Sequence, residues 1–472
     1  MTYKKALLTT LAMVAVLSFQ IVAINGSAQT TKRTAPVTFS KDIAPILQKQ
    51  CASCHRPGGM APMSLLSYKD TRPWAKSIRE NVVKREMPPW HADPRYGEFA
   101  NDRRLSQGEV DTIAAWVDGG ALKGDDKDLP PPLTFNENWR IGNPDLVLSM
   151  TEEFTLAADG PDEYQYFVIP TNFTEDRWVR AAEARPGNNK IVHHMIAFIQ
   201  PARPETQEGN AGSIRRDPAR MKESIFYKDG TLIRVKPSAP VFDNGCATPE
   251  GGQGVFTDGT GRDTMLSLLC GQAPGRDADI WPAGTAKKIP AGANLLIQMH
   301  YAKNGSVEKD RSTVGLIFAK EAPERELVTI PIQNHFFSVP PGAENHEVTS
   351  CFTFGEGIRI VSLMPHMHLR GKDMQIKAAY PDGKSEILLS VPNYSFNWQA
   401  TYYLKKPLAV PKGTRIEVTA HFDNSTKNKY NPDPTKVVRW GDPTYDEMMI
   451  GWMDYISDSP GQVKPATSAS NR

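Results

Sequence analysis

The chain of 472 residues is expected to be mainly β with a small all-α unit near its N-terminus, and three observations lead there. Helical periodicity with recognisable caps is confined to residues 36–124. Beyond the acidic, proline-rich stretch 124–132, short alternating apolar runs separated by Gly, Pro, Asn and Asp take over, as in β-sandwiches. A Pro-x-Gly turn leading into a strand, with a histidine ten residues after the proline, occurs twice, at Pro290 and His300 and at Pro411 and His421. That echo suggests two related β units.

Taken in order, Lys4-Lys5, the apolar stretch 6–23 and Gly26-Ser27-Ala28 read as a signal peptide over residues 1–28. The expected location is therefore periplasmic or secreted, with an uncleaved N-terminal membrane anchor as the alternative and no membrane span after signal cleavage. In the helical unit, Ser40 is placed to cap a helix through Ile43, Ile46 and Leu47. The stretch 71–85 puts Trp74, Ile78 and Val82 on one helical face. Ser106 and Glu109 form a capping box for a helix through Ile113, Ala114 and Trp116 that stops at Gly119-Gly120. Residues 125–136 read as a linker, 137–327 and 328–460 as two jelly-roll-like β-sandwiches, and 461–472 as a disordered tail. In the second sandwich, Ile416, Val418, Ala420 and Phe422 alternate with Arg415, Glu417, Thr419 and His421, as a strand with one buried face requires. A hydrophobic content of 40% with 23% charged residues is ordinary for folded protein, and a net charge of +2 without a basic run points away from nucleic acid.

The sharpest motif is Cys51-Ala-Ser-Cys54-His55, because two thiols and an imidazole at C-x-x-C-H spacing can hold a haem covalently and ligate its iron. With short helices around it, the motif describes a small cytochrome c domain carrying one covalently bound haem c. A reactive dithiol or half of a zinc site are the other readings, and zinc needs a second cysteine pair that the neighbourhood lacks. Met87, in the proline-stiffened stretch 86–90, is the expected second axial ligand, with His91 its competitor. Of the remaining cysteines, Cys246 and Cys270 are expected to pair in an oxidising compartment, leaving Cys351 buried or free.

Five of the ten histidines gather in three places: His193-His194, His300, and His366-Met367-His368. Residues two apart on a strand share a face, so His366 and His368 can reach one metal without distortion. Adjacent residues point apart, and His193 and His194 can share a metal only where the backbone is irregular or the rings reach round a strand edge.

In order, Val192-His193-His194-Met195, Gln298-Met299-His300-Tyr301, His366-Met367-His368 and Asp446-Glu447-Met448 resemble the copper-ligand motifs of the type II ascorbate-dependent copper monooxygenases. That family includes the peptidylglycine α-hydroxylating and dopamine β-monooxygenases. The resemblance covers about residues 137–455 and implies two β-sandwich domains with one copper ion each. It implies that His193, His194 and His300 bind an electron-transfer copper. It further implies that His366, His368 and Met448 are the catalytic set, binding the copper that activates dioxygen, with Met449 as the fallback ligand. A thioether suits copper cycling through Cu(I) and poorly suits zinc. The implied activity is hydroxylation of a C–H bond of a small organic substrate with dioxygen, and the fused cytochrome offers an electron entry fed by an external donor. In the peptide-hydroxylating members an Arg two residues before the H-x-H holds a substrate carboxylate, and an Asn and a Tyr follow the methionine ligand. Met364, Ile450 and Trp452 stand here, implying a more apolar pocket. Arg370 reads as solvated, with anion binding as the alternative. The competing functional readings are a haem and copper electron-transfer or copper-handling protein without hydroxylase activity, and a zinc hydrolase.

Overall fold

The computed structural model describes residues 36–458 except 58, 60, 136–138, 274–275, 277 and 442. Between 203 and 266 it describes only the backbone of short strands at 225–228, 231–234, 242–243, 246–247, 256–257 and 263–264. The expected signal peptide and C-terminal tail lie outside the described residues.

Helices Ala44–Gln50, Ala75–Val83 and Gln107–Asp118 enclose a core of their own, built on Phe39, Ile43, Leu47, Ile78, Val82, Ile113 and Trp116. The third helix begins on the expected capping box: the Glu109 N–H donates to Ser106 Oγ, and the Ser106 N–H donates to Glu109 Oε2 at 2.7 Å. It ends at Gly119, and Gly120 follows at φ +92°, a conformation that favours glycine. Two local expectations fail. Ser40 does not cap; the first helix is entered through a π-turn, Phe39–Ile43, with the Thr38 N–H donating to Asp42 and Ser40 buried inside the turn. Trp74 is 44% exposed, because it closes a 3-10 turn, Arg72–Trp74, whose three-residue period is out of phase with the helix that follows.

The remainder is β. One sheet runs in the order Leu146–Ser149, Thr313–Phe318, Arg177–Arg185, Thr285–Ile289, Arg325–Gln333, Ile450–Ser457, Ile358–His366, Tyr402–Val410. A four-stranded sheet faces its first half, ordered Ser267–Gln272, Val192–Gln200, Asn294–Tyr301, Glu163–Pro170. A second sheet faces the other half, ordered Ser385–Val391, Gly371–Ala379, Arg415–Phe422, His346–Thr353, Cys246–Ala247, Phe242–Asp243. Two apolar cores result, one around Met195, Leu295, Ile297 and Leu316, the other around Leu363, Ile376, Val418 and Phe422. The two sandwiches thus share a sheet, and parallel pairing of Thr285 and Ala286 with Arg325 and Glu326 forms the seam. Ile416, Val418, Ala420 and Phe422 are all buried, as their alternation requires.

The disulfide expectation is corrected. Cys270 is a free thiol, fully buried in the first core, and Cys351 is disulfide-bonded. The physical reason is topological: the strand Cys246–Ala247 pairs into the second sandwich, where Ala247 stands opposite Phe352, next to Cys351. Cys270 belongs to the other sandwich.

The helical unit is also tied to the second sandwich by the stretch between its second and third helices. Trp90, Ala92 and Phe99 enter the second core, where Trp90 meets Tyr402 edge-on at 4.8 Å. The backbone of this stretch bonds to the sandwich through Asp93 N to Ser390 O, Ala100 N to Tyr403 O and Lys405 N to Glu98 O. Trp90 is 8% exposed. Trp90→Ala is expected to destabilise the second sandwich by about 3–5 kcal/mol, read as a lower urea midpoint for its unfolding. An unchanged midpoint would refute the anchoring role.

Candidate metal centres

His194 and His300 stand directly opposite each other on neighbouring strands, with ring centroids 5.0 Å apart. Immediately beyond, the register slips, so that Tyr301 pairs with Val192 and His193 is the extra residue of a β-bulge. That irregularity lets two adjacent histidines converge. One nitrogen from each of His193, His194 and His300 lies within 4.8 Å of the others, the sole convergence of three or more His, Cys, Asp or Glu ligand atoms among the described residues.

His300 is oriented by two neighbours. His300 Nε2 donates to Asp162 Oδ2 at 2.8 Å, and Tyr164, its cross-strand partner, stacks on it at 4.4 Å. The buried Nδ1 atoms of His300 and His193 have no protein partner. A buried nitrogen without a hydrogen bond is costly, and a bound metal resolves that cost. Burial, then the neighbouring His300, holds His193 down at about 4, and the same causes hold His194 well below the usual imidazole range. Neutral imidazoles are the form that ligates, so the set fits copper or another imidazole-binding metal.

The second group lies at the end of Ile358–His366. His366 is the last strand residue and His368 follows just outside it, their rings perpendicular at 5.3 Å. His366 Nδ1 donates to Gln399 Oε1 at 2.6 Å, and Gln399 Nε2 donates to Phe396 O, which fixes the amide's orientation. His368 Nδ1 donates to the carbonyl of Asp446 at 3.1 Å. With Nδ1 engaged in each ring, Nε2 is the atom that would ligate a metal. Burial lowers both, His366 to about 4.

Met448 follows the buried Glu447, whose carboxylate accepts from His368 N at 2.8 Å and Arg370 N at 2.6 Å. Met448 is half-buried, whereas Met449 is fully buried in the second core. Of the two neighbours, Met448 is therefore the one whose thioether is not taken up by the core. Arg370 departs from expectation: it is 2% exposed, and its guanidinium bonds to Asn424 Oδ1 and Tyr445 O. It braces the loop and does not face solvent.

Residues without a sequence signal complete the site. Gln399, Phe396 and Tyr394 come from the stretch 392–401, which has no periodicity to read. Phe396 stacks on His193 at 5.4 Å and meets His368 edge-on at 5.8 Å, so its ring touches one histidine of each group. Gln399→Ala should weaken copper binding by the His366 group about 10–100-fold while leaving the ligand set intact. Chelator-competition titration checks this, and an unchanged affinity would remove Gln399 from the site. His421 belongs to neither group; it bonds to Asp373 Oδ1 at 2.7 Å.

In the helical unit, Cys51 and Cys54 are free thiols and His55 Nδ1 donates to Met63 O at 3.2 Å, leaving Nε2 available. Burial, then Cys54 and Glu109, pushes the Cys51 thiol up to about 12, which disfavours a reactive thiolate. Met87 and His91 are both half-buried. Two thiols outside any disulfide and an imidazole with Nδ1 engaged would fit a thioether-linked haem.

Residues 326–470 match the family model described as copper type II ascorbate-dependent monooxygenase, C-terminal domain. The family is a group of copper-binding monooxygenases. The chain is also 24% identical over 132 residues to mouse (Mus musculus) DBH-like monooxygenase protein 1, a match spanning 25% of this chain and 20% of that protein. Among solved structures, the infectious bursal disease virus VP2 subviral particle is 10% identical, covers 68% of this chain and 75% of its own, and has a TM-score of 0.18. PNGF-II is 10% identical, with 66% and 65% coverage and a TM-score of 0.25. Scores this low carry no weight for fold or function.

Proposed function

We propose that the chain is an exported copper monooxygenase that hydroxylates a C–H bond of a small organic substrate, receiving electrons through a covalent haem c on its helical unit. The observation that carries this reading is the pair of histidine groups placed on either side of one phenylalanine, the first converging with unpartnered buried Nδ1 atoms, the second with its Nδ1 atoms tied to Gln399 and Asp446. The match of residues 326–470 supplies the class of chemistry. In balance, substrate C–H, dioxygen, two electrons and two protons give the alcohol and water. On this reading His193, His194 and His300 hold an electron-transfer copper, and His366, His368 and Met448 hold the copper that supplies dioxygen activation.

The chain's own groups do the rest. Asp162, Gln399 and the Asp446 carbonyl fix the ring orientations, and Glu447 latches the loop carrying His368 to the segment carrying Met448. Met364 pairs across the sheet with Trp452, and Trp452 packs with Tyr166, Phe198, Leu268 and Leu296. Arg276 reaches the Met364 sulfur at 3.8 Å but is already paired with the buried Asp279, so this largely apolar face supports an apolar substrate over a peptide carboxylate. Cys51, Cys54 and His55 would hold the haem, with Met87 as sixth ligand. Trp90, three residues after Met87, packs on Tyr402, three residues after the Gln399 that holds His366, so the helical unit is anchored beside the second histidine group. The disulfide at Cys351 supports an oxidising, periplasmic or secreted location. Residues 137–327 and 328–460 are proposed as the two copper domains, with the strands Phe242–Asp243 and Cys246–Ala247 lent by the first to the sheet of the second.

Metal analysis combined with dioxygen uptake over a panel of apolar substrates tests the reading. Copper with substrate-dependent uptake supports it. Copper without uptake on any substrate would indicate an electron-transfer or copper-handling protein, and tightly held zinc would indicate a hydrolase.

A further inference from the structure

The ring contacts form an unbroken series: His300 to His193 at 4.9 Å, His193 to Phe396 at 5.4 Å, Phe396 to His368 at 5.8 Å, and His368 to His366 at 5.3 Å. Phe396 is the one member that is not a histidine. It lies nearly parallel to His193, at 9°, and nearly perpendicular to His368, at 86°. Both arrangements are favourable for aromatic pairs.

The backbone that carries this ring is held by the second histidine group on both sides. Before it, the Tyr394 hydroxyl donates to Met367 O at 2.7 Å and accepts from Met367 N at 3.1 Å, clamping the residue between His366 and His368. After it, Gln399 joins the Phe396 carbonyl to His366. Phe396 is thus fixed to the second sandwich while its face covers a histidine of the first. A side chain with two torsions, pinned on both flanks, has little freedom to leave that position.

We propose that Phe396 is a positioning residue that covers His193 and sets the separation of the two histidine groups. Part of this rests on the copper reading above, but the covering of His193 does not.

Two measurements on the full chain test it. In the metal-free protein, His193 should react with diethylpyrocarbonate several-fold faster in Phe396→Ala than in the parent, by peptide-level mass spectrometry. His421, which touches neither group, should be unaffected. Phe396→Tyr should restore protection, and Phe396→Leu should fall between. In the copper-loaded protein, dipolar broadening of the copper EPR spectrum should be altered in Phe396→Ala at unchanged copper content. The single-site variants His194→Ala and His366→Ala supply the uncoupled reference spectra. Unchanged His193 reactivity, or unchanged broadening at full loading, overturns the proposal. If the parent takes up no copper, the functional reading fails and the metal-free labelling alone decides the role of Phe396. If Phe396→Ala does not fold, Phe396→Leu carries both measurements.

Discussion

Replacing His366 with alanine is expected to leave about one copper per chain where the parent holds about two, and to abolish substrate-dependent dioxygen uptake. The ring is anchored at both levels: it ends the strand Ile358–His366 and gives its Nδ1–H to Gln399, which leaves Nε2 as the atom it would offer the metal. Losing a ligand should cost more than the ~10–100-fold in affinity that losing an outer hydrogen-bond partner costs. The remaining copper should sit on His193, His194 and His300, which belong to other strands. His194→Ala should do the converse, emptying the first group while the His366 group still loads. Metal analysis and EPR on the two variants separate the possibilities. If either substitution removes both coppers equally, the histidines converge on one site and the two-site arrangement falls.

The histidine groups are legible because imidazoles are scarce and strand geometry is simple. Two residues apart on a strand means one face, which is the ground for expecting His366 beside His368, although the strand itself ends at His366 and His368 lies just past it. For His193 and His194 the sequence states a condition, an irregular backbone, without showing it; the bulge arises from how Val192–Gln200 registers with Asn294–Tyr301. Gln399 and Phe396 have no such signal, because an aperiodic stretch acquires meaning only from what it packs against. The misplaced disulfide has a similar origin. Cys246 and Cys270 are near each other along the chain, but the strand Cys246–Ala247 crosses to the sheet that contains Cys351. Trp90 and Phe99 lie between two helices of the N-terminal unit in sequence, yet they are buried in the second sandwich. Local patterns identified the helices and strands, and long-range pairing decided which of them share a core.

That anchoring makes the haem-free chain informative. With both Cys51 and Cys54 replaced by serine, the chain is expected to retain no haem after denaturation, whereas the parent should keep it, because thioether bonds survive unfolding and axial ligation does not. The substitutions are small and the thiols are only partly buried, so the core of Phe39, Leu47, Ile113 and Trp116 should persist. The packing of Trp90 against Tyr402 lies outside the motif and should also hold the unit in place. The variant therefore separates electron delivery from architecture. Copper content should be unchanged, turnover with an artificial small-molecule reductant should survive, and turnover driven by a protein donor should be lost. Complete release of haem from the denatured parent would disprove covalent attachment. Full turnover of the haem-free variant with the protein donor would show that electrons reach the histidine groups by another path.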